Sequence, residues 1–182
     1  MKPQTWFALG QIVLGACLGY CLYLIPRYLF SLDQGGVSNY GTEVDTKWIF
    51  TAGFAAAAIG TLLASIVAKG NSTLKLALFL LAVMYAAVLA TTYSYKLSDD
   101  LNNLHLYASI ALFVVMFIIA LWLQFTVKDS FTKICFAILL LGLVAGALNL
   151  AGVIHVLFSV QIVCGVAFAF MMTHGIKALQ NK

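Results

Sequence analysis

Long apolar runs alternate with short polar intervals along the whole chain. Uninterrupted runs cover residues 6–26, 48–68, 74–95 and 104–126, and a longer one occupies residues 134–176. About 20 consecutive apolar residues are enough for an α-helix to cross the hydrocarbon core of a bilayer. The pattern therefore predicts an all-α protein whose helices span a membrane.

The last apolar run, residues 134–176, is too long for one helix. A hydrocarbon core of about 30 Å, at about 1.5 Å per residue, accounts for only half of it. We divide it at the turn-like sequence GVIH, residues 152–155, into spans 133–152 and 155–176. The chain is then predicted to be a six-span helix bundle that forms a single transmembrane domain, residues 1–182.

The composition agrees with this architecture. Hydrophobic residues make up 63% of the chain and charged residues 9%, whereas soluble domains have about 45–50% apolar and about 25% charged residues. A chain of this length suits one compact bundle without a separate soluble domain. The net charge of +4 does not indicate nucleic-acid binding, because the basic residues are scattered singly near helix ends.

The distribution of basic residues predicts the orientation. Cytoplasmic loops of membrane proteins are enriched in Lys and Arg. With a cytoplasmic N-terminus, one side of the membrane carries Lys2, Lys69, Lys75, Lys128, Lys133, Lys177 and Lys182, and the other carries Arg27, Lys47 and Lys96. We therefore predict that both termini are cytoplasmic, as in a multi-pass protein of a prokaryotic inner (plasma) membrane.

The longest polar interval, residues 31–47, is predicted to be an ordered outer loop. Long connections without secondary structure are usually either functional or disordered, and disorder requires low hydrophobicity. This loop instead contains Leu32, Val37, Tyr40 and Val44 among its polar residues. We expect it to fold onto the outer helix ends, against His105 and the end of the third helix.

The same outer face collects the side chains that could carry chemistry. Imidazoles and carboxylates are suitable zinc ligands and acid–base groups, but no HExxH-like spacing identifies a metal or its ligands, and these groups could simply be solvated. No pair of histidines lies at matching depth for a b-type haem, and we expect no cofactor. The tentative binding residues on this face are His105, His155, Asp33, Glu43, Asp45, Tyr40, Asp99 and Asp100.

Within the spans, the strongly polar side chains are Gln11, Gln124, Asn149 and Gln161, for which hydrogen bonds between helices are the simplest explanation. Asn149 and Gln161 lie equally far from the last turn, so we predict an intramembrane pair. Two GxxxG steps allow close helix contact. They offer surfaces for self-association or for a membrane-protein partner, at Gly15/Gly19 and Gly142/Gly146.

Two short stretches carry a resemblance to a known family. The first outer loop reads VSNYGT at residues 37–42 and is followed by WIF at 48–50, and HLYAS at 105–109 opens the fourth span. With six spans, this resembles a prokaryotic domain-of-unknown-function family of small integral membrane proteins, similar in layout to FRAG/DRAM/SFK-type proteins. The second outer loop departs from that pattern. The resemblance implies a fold and a location, and no catalytic residues.

These observations favour a non-enzymatic membrane protein that contacts lipids or binds a partner through its outer face. One alternative is an intramembrane lipid-processing enzyme or metal-dependent hydrolase that uses the outer histidines and carboxylates. A second alternative is a small-solute transporter, although no acidic or basic residue lies in the middle of a span, where ion coupling usually requires one. A bound metal would favour the enzyme, and a continuous polar cavity would favour the transporter.

Overall fold

The structure, a computed structural model, describes residues 1–26, 36–92 and 98–180. Within these ranges, six helices are long and apolar enough to cross a membrane. This confirms the predicted all-α transmembrane bundle. The helices are α1 (Pro3–Leu24), α2 (Lys47–Val67), α3 (Ser72–Thr92), α4 (Asp99–Val127), α5 (Ser130–Leu150) and α6 (Leu157–Gln180), and a short 3₁₀ helix (Val37–Gly41) lies between α1 and α2.

The main difference from the predicted boundaries is the start of α4, which lies five residues before residue 104. Ser98 caps this helix by accepting a hydrogen bond from the backbone N–H of Leu101. Asp99 and Asp100 occupy the first turn, where negative charge is favoured by the helix dipole. The two carboxylates therefore belong to a helix start, and His105 lies inside α4 instead of opening it.

Contacts between distant segments define the two ends of the bundle. At one end, here called the terminal end, the side chain of Gln180 donates to the backbone oxygen of Lys69 at 2.9 Å. At the other, here called the loop end, the backbone N–H of Val37 donates to Oε1 of Gln161 at 2.8 Å. The six helices run antiparallel to their chain neighbours between these ends.

The helices are arranged so that α6 contacts α1, α4 and α5, while α1, α2, α3 and α4 contact one another in succession. The core at the terminal end is closely packed, because large apolar side chains from four helices are fully buried there. These include Phe7, Leu74, Leu78, Leu123, Met171, Met172 and Ile176. The half of the bundle near the loop end instead contains a cavity, which is described below.

Glycines of α1 and α2 bring the backbones of these two helices close together. A Cβ atom added at Gly10 would lie 2.7 Å from the backbone oxygen of Ala56, and one added at Gly60 would lie 2.7 Å from that of Trp6. Small residues permit such contact between membrane helices. By contrast, a Cβ at Gly15 or Gly19 would meet nothing within 4 Å, so this predicted GxxxG step does not form the contact between α1 and α2.

We predict that Gly10→Ala destabilises the protein by about 1–3 kcal/mol, since the added methyl group forces two backbones apart. Gly19→Ala, on the same helix but facing open space, is the matched control and should leave stability unchanged or slightly raised. Thermal unfolding of the purified protein in detergent measures both. Equal midpoints for the two variants would contradict the proposed close contact.

Candidate functional site

The segment between α1 and α2, predicted to be the first outer loop, is ordered where the structure describes it, residues 36–46. The side chain of Tyr40 is fully buried, its hydroxyl donates to the backbone oxygen of Ile25 at 3.2 Å, and its ring meets the edge of Phe158. Thr46 in turn donates to the backbone oxygen of Tyr40 at 2.8 Å. The predicted ordered loop is confirmed for these residues, whereas Asp33 lies outside the described part of the chain.

His105 is buried, and its Nδ1 lies 3.0 Å from the hydroxyl oxygen of Thr91 on α3. The Thr91 hydroxyl donates to the backbone oxygen of Ala87 at 2.9 Å, so it accepts a hydrogen bond from the imidazole. This contact joins α4 to the end of α3. The predicted contact with residues 93–95 falls outside the described residues.

The other predicted outer-face residues are mostly solvated. His155, Asp45, Asp99 and Asp100 are exposed, and Glu43 is half-buried. Across residues 1–26, 36–92 and 98–180, no group of three or more His, Cys, Asp or Glu side chains could hold a metal ion.

The structure gives the two amides of the final hairpin separate partners. Oδ1 of Asn149 accepts from the backbone N–H of Val156 at 3.0 Å and so stabilises the turn before α6. Oε1 of Gln161 accepts from the backbone of the 3₁₀ helix, as described above. Within the described structure, no hydrogen bond joins these two side chains, and their predicted proximity stays a prediction.

A cavity of about 480 Å³ lies in the half of the bundle near the loop end. It is bounded by α1, α3, α4 and α6, with a contribution from α2, and the 3₁₀ helix covers its outer end. Its walls are mainly apolar, and none of its lining residues is charged. The polar side chains among them are Gln11, Ser38, Tyr85, Ser109, Ser159 and Gln161.

The cavity opens sideways between α1 and α6. Gly15 and Gly19 line it from α1, and Val163 and Val166 line it from α6. All four are also exposed, with exposed fractions of 53% and 52% for the two valines. With the six helices spanning a bilayer, an opening at this place would lead to the hydrocarbon region.

Toward the terminal end, the cavity stops near the middle of the helices. Its innermost lining residues include Gln11 on α1, Met116 on α4 and Ala169 on α6. One helical turn further on, Phe7 and Met172 are fully buried. Among the described residues, the inner end of this pocket therefore borders the packed core.

The inner end of the pocket carries a polar pair. The hydroxyl of Tyr85 donates to Oε1 of Gln11 at 3.2 Å, while Nε2 of Gln11 is buried and has no partner within the described residues. An unsatisfied buried polar group costs about 1–3 kcal/mol. Buried side-chain oxygens of Gln4, Thr61 and Gln124 also have no hydrogen-bond partner within the described residues. Of these four side chains, only that of Gln11 lines the pocket.

For Gln11 the sequence predicts a helix–helix hydrogen bond, and the pocket was not predicted. The bond to Tyr85 is present, but the unpaired nitrogen was not foreseen. A signal does exist in the chain: Gln11, Gly15, Leu18 and Leu22 recur at helical spacing. They lie on one face of α1, which therefore combines an amide side chain, a glycine and two leucines.

A separate polar contact lies at the terminal end. The ring nitrogen Nε2 of His174 donates to the carboxylate of Asp129, which also caps α5 by accepting from the backbone N–H of Thr132 at 2.8 Å. The Thr132 backbone, followed by His174, lowers the pKa of the Asp129 carboxyl below its ordinary value. Both side chains are partly exposed, so this contact joins the start of α5 to α6 near the protein surface.

Six helices that are long and apolar enough to cross a membrane define a multi-pass integral membrane protein. Comparison with known proteins finds no matching family model, no matching curated protein and no matching solved structure. The function must therefore be argued from the pocket itself.

Proposed function

We propose that this membrane protein binds a neutral, membrane-soluble molecule in the pocket between α1 and α6. The sequence favoured either lipid contact or partner binding through the outer face. The present proposal keeps lipid contact and places it in an intramembrane pocket instead of the outer loops. The observation that carries the proposal is an apolar pocket of about 480 Å³ whose open side faces lipid.

The size and lining of the pocket support this role. Ligand pockets typically have volumes of about 300–1,000 Å³ and apolar walls with a few polar groups. From Gln11 to Leu22, both of which line the pocket, α1 rises about 16 Å at about 1.5 Å per residue. A long, narrow and apolar space of this kind suits a hydrocarbon chain or a flat ring better than a hydrated solute.

The alternative functions receive less support. A transporter for a polar solute needs a polar path, whereas the pocket has no charged lining residue and its inner end meets fully buried Phe7 and Met172. A hydrolase needs a nucleophile or an activated water near a base. The described histidines, His105, His155 and His174, are not among the pocket's lining residues.

The orientation is part of the same proposal. Both termini lie at the terminal end of the bundle, and the described basic residues there outnumber the single one at the loop end, Lys47. Those at the terminal end are Lys2, Lys69, Lys75, Lys128, Lys133 and Lys177. The positive-inside rule then places the terminal end in the cytoplasm and the pocket in the outer leaflet. A prokaryotic plasma membrane is the location that the resemblance in the first outer loop implies.

We predict that a membrane-impermeant maleimide added to intact cells labels Val44→Cys and does not label Ser72→Cys. Both positions are exposed, the first at the loop end and the second at the terminal end, and the native cysteines are replaced by Ala in both variants. Permeabilised cells provide the control, since both variants should react there. External labelling of Ser72→Cys alone would reverse the orientation.

For the pocket, we predict that Gly15→Leu and Gly165→Leu weaken ligand binding by about tenfold. A Cβ at either glycine meets nothing within 4 Å, so each leucine extends into the pocket without a backbone clash. Displacing about two methylene groups of a ligand removes about 1.6 kcal/mol at about 0.8 kcal/mol each, and about 1.4 kcal/mol corresponds to tenfold. The measurement is the amount of small apolar molecules that copurify with the protein, by mass spectrometry.

The matched control is Gly146→Leu. Gly146 also has open space around its Cβ position, but it lies on α5 and is not among the lining residues of the pocket. Its variant should retain the same copurifying molecules as the wild type. Equal retention in all three variants would contradict the assignment of the pocket as the binding site.

A further inference from the structure

We propose that the segment 36–41, here called the cap, is a movable cover over the pocket at the loop end, and that Gln161 is the positioning residue that holds it closed. This inference rests on the proposed function, because it concerns access to the same pocket. It is carried by the way in which the cap is attached to the helices around it.

The cap forms part of the pocket wall. Val37 and Ser38 line the pocket directly. Tyr40 is fully buried, and its ring meets the edge of Phe158, another lining residue, with ring centroids 5.9 Å apart. A displacement of the cap would therefore uncover the end of the pocket that lies beneath it.

One side of the cap is attached to three helices. The hydroxyl of Tyr40 donates to the backbone oxygen of Ile25 at the end of α1. Its backbone oxygen accepts from the hydroxyl of Thr46, the residue just before α2. At the next position, a Cβ atom added to Gly41 would clash with the side chain of Thr92 on α3. These contacts fix the Tyr40–Gly41 side of the cap.

The other side of the cap is attached to α6 through the side chain of Gln161. Its Oε1 accepts from the backbone N–H of Val37 at 2.8 Å, and no other hydrogen bond joins the cap to α6 within the described residues. Gly36 lies against the same amide, since an added Cβ atom would be 2.7 Å from Cδ and from Nε2. The φ of Gly36 is −85°, so the contact with Gln161, and not the backbone conformation, restricts this position.

The bond between Val37 and Gln161 can open at low cost. Gln161 lies four residues after the start of α6 at Leu157, about 6 Å from that helix end. Water at the membrane surface is within reach there, so breaking the bond exchanges a protein–protein hydrogen bond for bonds to water. A conformation with the cap released is then a minor state of the same protein.

Release of the cap exposes lining residues that the closed conformation buries. Val88 on α3 lines the pocket and is only 3% exposed. It lies one helical turn before Thr92, the residue that Gly41 contacts. With the cap closed, an occupant exchanges through the opening between α1 and α6. With the cap released, the pocket also communicates with water at the loop end.

The test measures how fast a charged, membrane-impermeant methanethiosulfonate reagent modifies Val88→Cys in the full chain in lipid nanodiscs, with the native cysteines replaced by Ala. Two changes break the cap bond by different routes. Gln161→Leu removes the acceptor, and Gly36→Ala places a methyl group where the amide lies. Gln161→Glu keeps a side-chain oxygen at the same place. The matched control is Gln124→Leu, at a half-buried amide of α4 that does not line the pocket.

We expect Gln161→Leu and Gly36→Ala to raise the modification rate of Val88→Cys about three- to tenfold, as the loss of one hydrogen bond predicts. Gln161→Glu and Gln124→Leu should keep the rate of the unaltered cap. Two further reporters calibrate the rates. Val44→Cys is exposed and should react fast in every background, and Leu78→Cys, fully buried in the core, should react slowly in every background.

Three outcomes would overturn the inference. The first is an unchanged rate in either Gln161→Leu or Gly36→Ala. The second is a rate for Val88→Cys with the unaltered cap that equals that of Val44→Cys, since the pocket would then already be open to water. The third is an equal rise at Leu78→Cys, which would mean that the whole bundle loosens. The proposed function is decided separately, by the molecules that copurify with Gly15→Leu.

Discussion

The close approach of α1 to α2 is the constraint on which the rest of this structure depends. Gly10 and Gly60 bring two backbones into direct contact, and near the loop end Gly53 lies against Cys17 and Leu14. One face of α1 therefore packs against α2. The face with Gly15 and Gly19 is turned away from that contact, and it borders the pocket because no side chain extends from it toward α6.

This arrangement divides the bundle into two halves with different roles. At the terminal end, large side chains such as Phe7 and Met172 are fully buried. At the loop end, the 3₁₀ helix and Tyr40 cover the helix ends above the pocket. The polar pair of Gln11 and Tyr85 lies where the two halves meet, so it is held by the packed half and faces the open one.

Much of the fold followed from the sequence because membrane helices depend on a simple physical requirement. Backbone polar groups in lipid must be satisfied within the helix, so a sufficiently long apolar run indicates a span. The start of α4 was misplaced because Asp99 and Asp100 look like loop residues, whereas capping by Ser98 and the helix dipole favour them in a first turn. A hydropathy pattern does not detect helix capping or the effect of the helix dipole.

The candidate site was less predictable, since it depends on relations between helices. Asn149 and Gln161 were paired by depth alone, but contact also requires that two side chains point toward each other, and their observed partners are backbone groups. The pocket arises from side chains that are absent at Gly15 and Gly19. A glycine step in a sequence indicates equally well a close contact or a gap, and only the tertiary arrangement distinguishes them.

The measurement that tests this account most directly is the density within the bundle in an experimental structure determined in lipid nanodiscs. The account predicts elongated density that enters between α1 and α6 and extends to the inner end of the pocket at Gln11. Direct contact between Gly15 on α1 and Gly165 on α6, with the space closed, would contradict it.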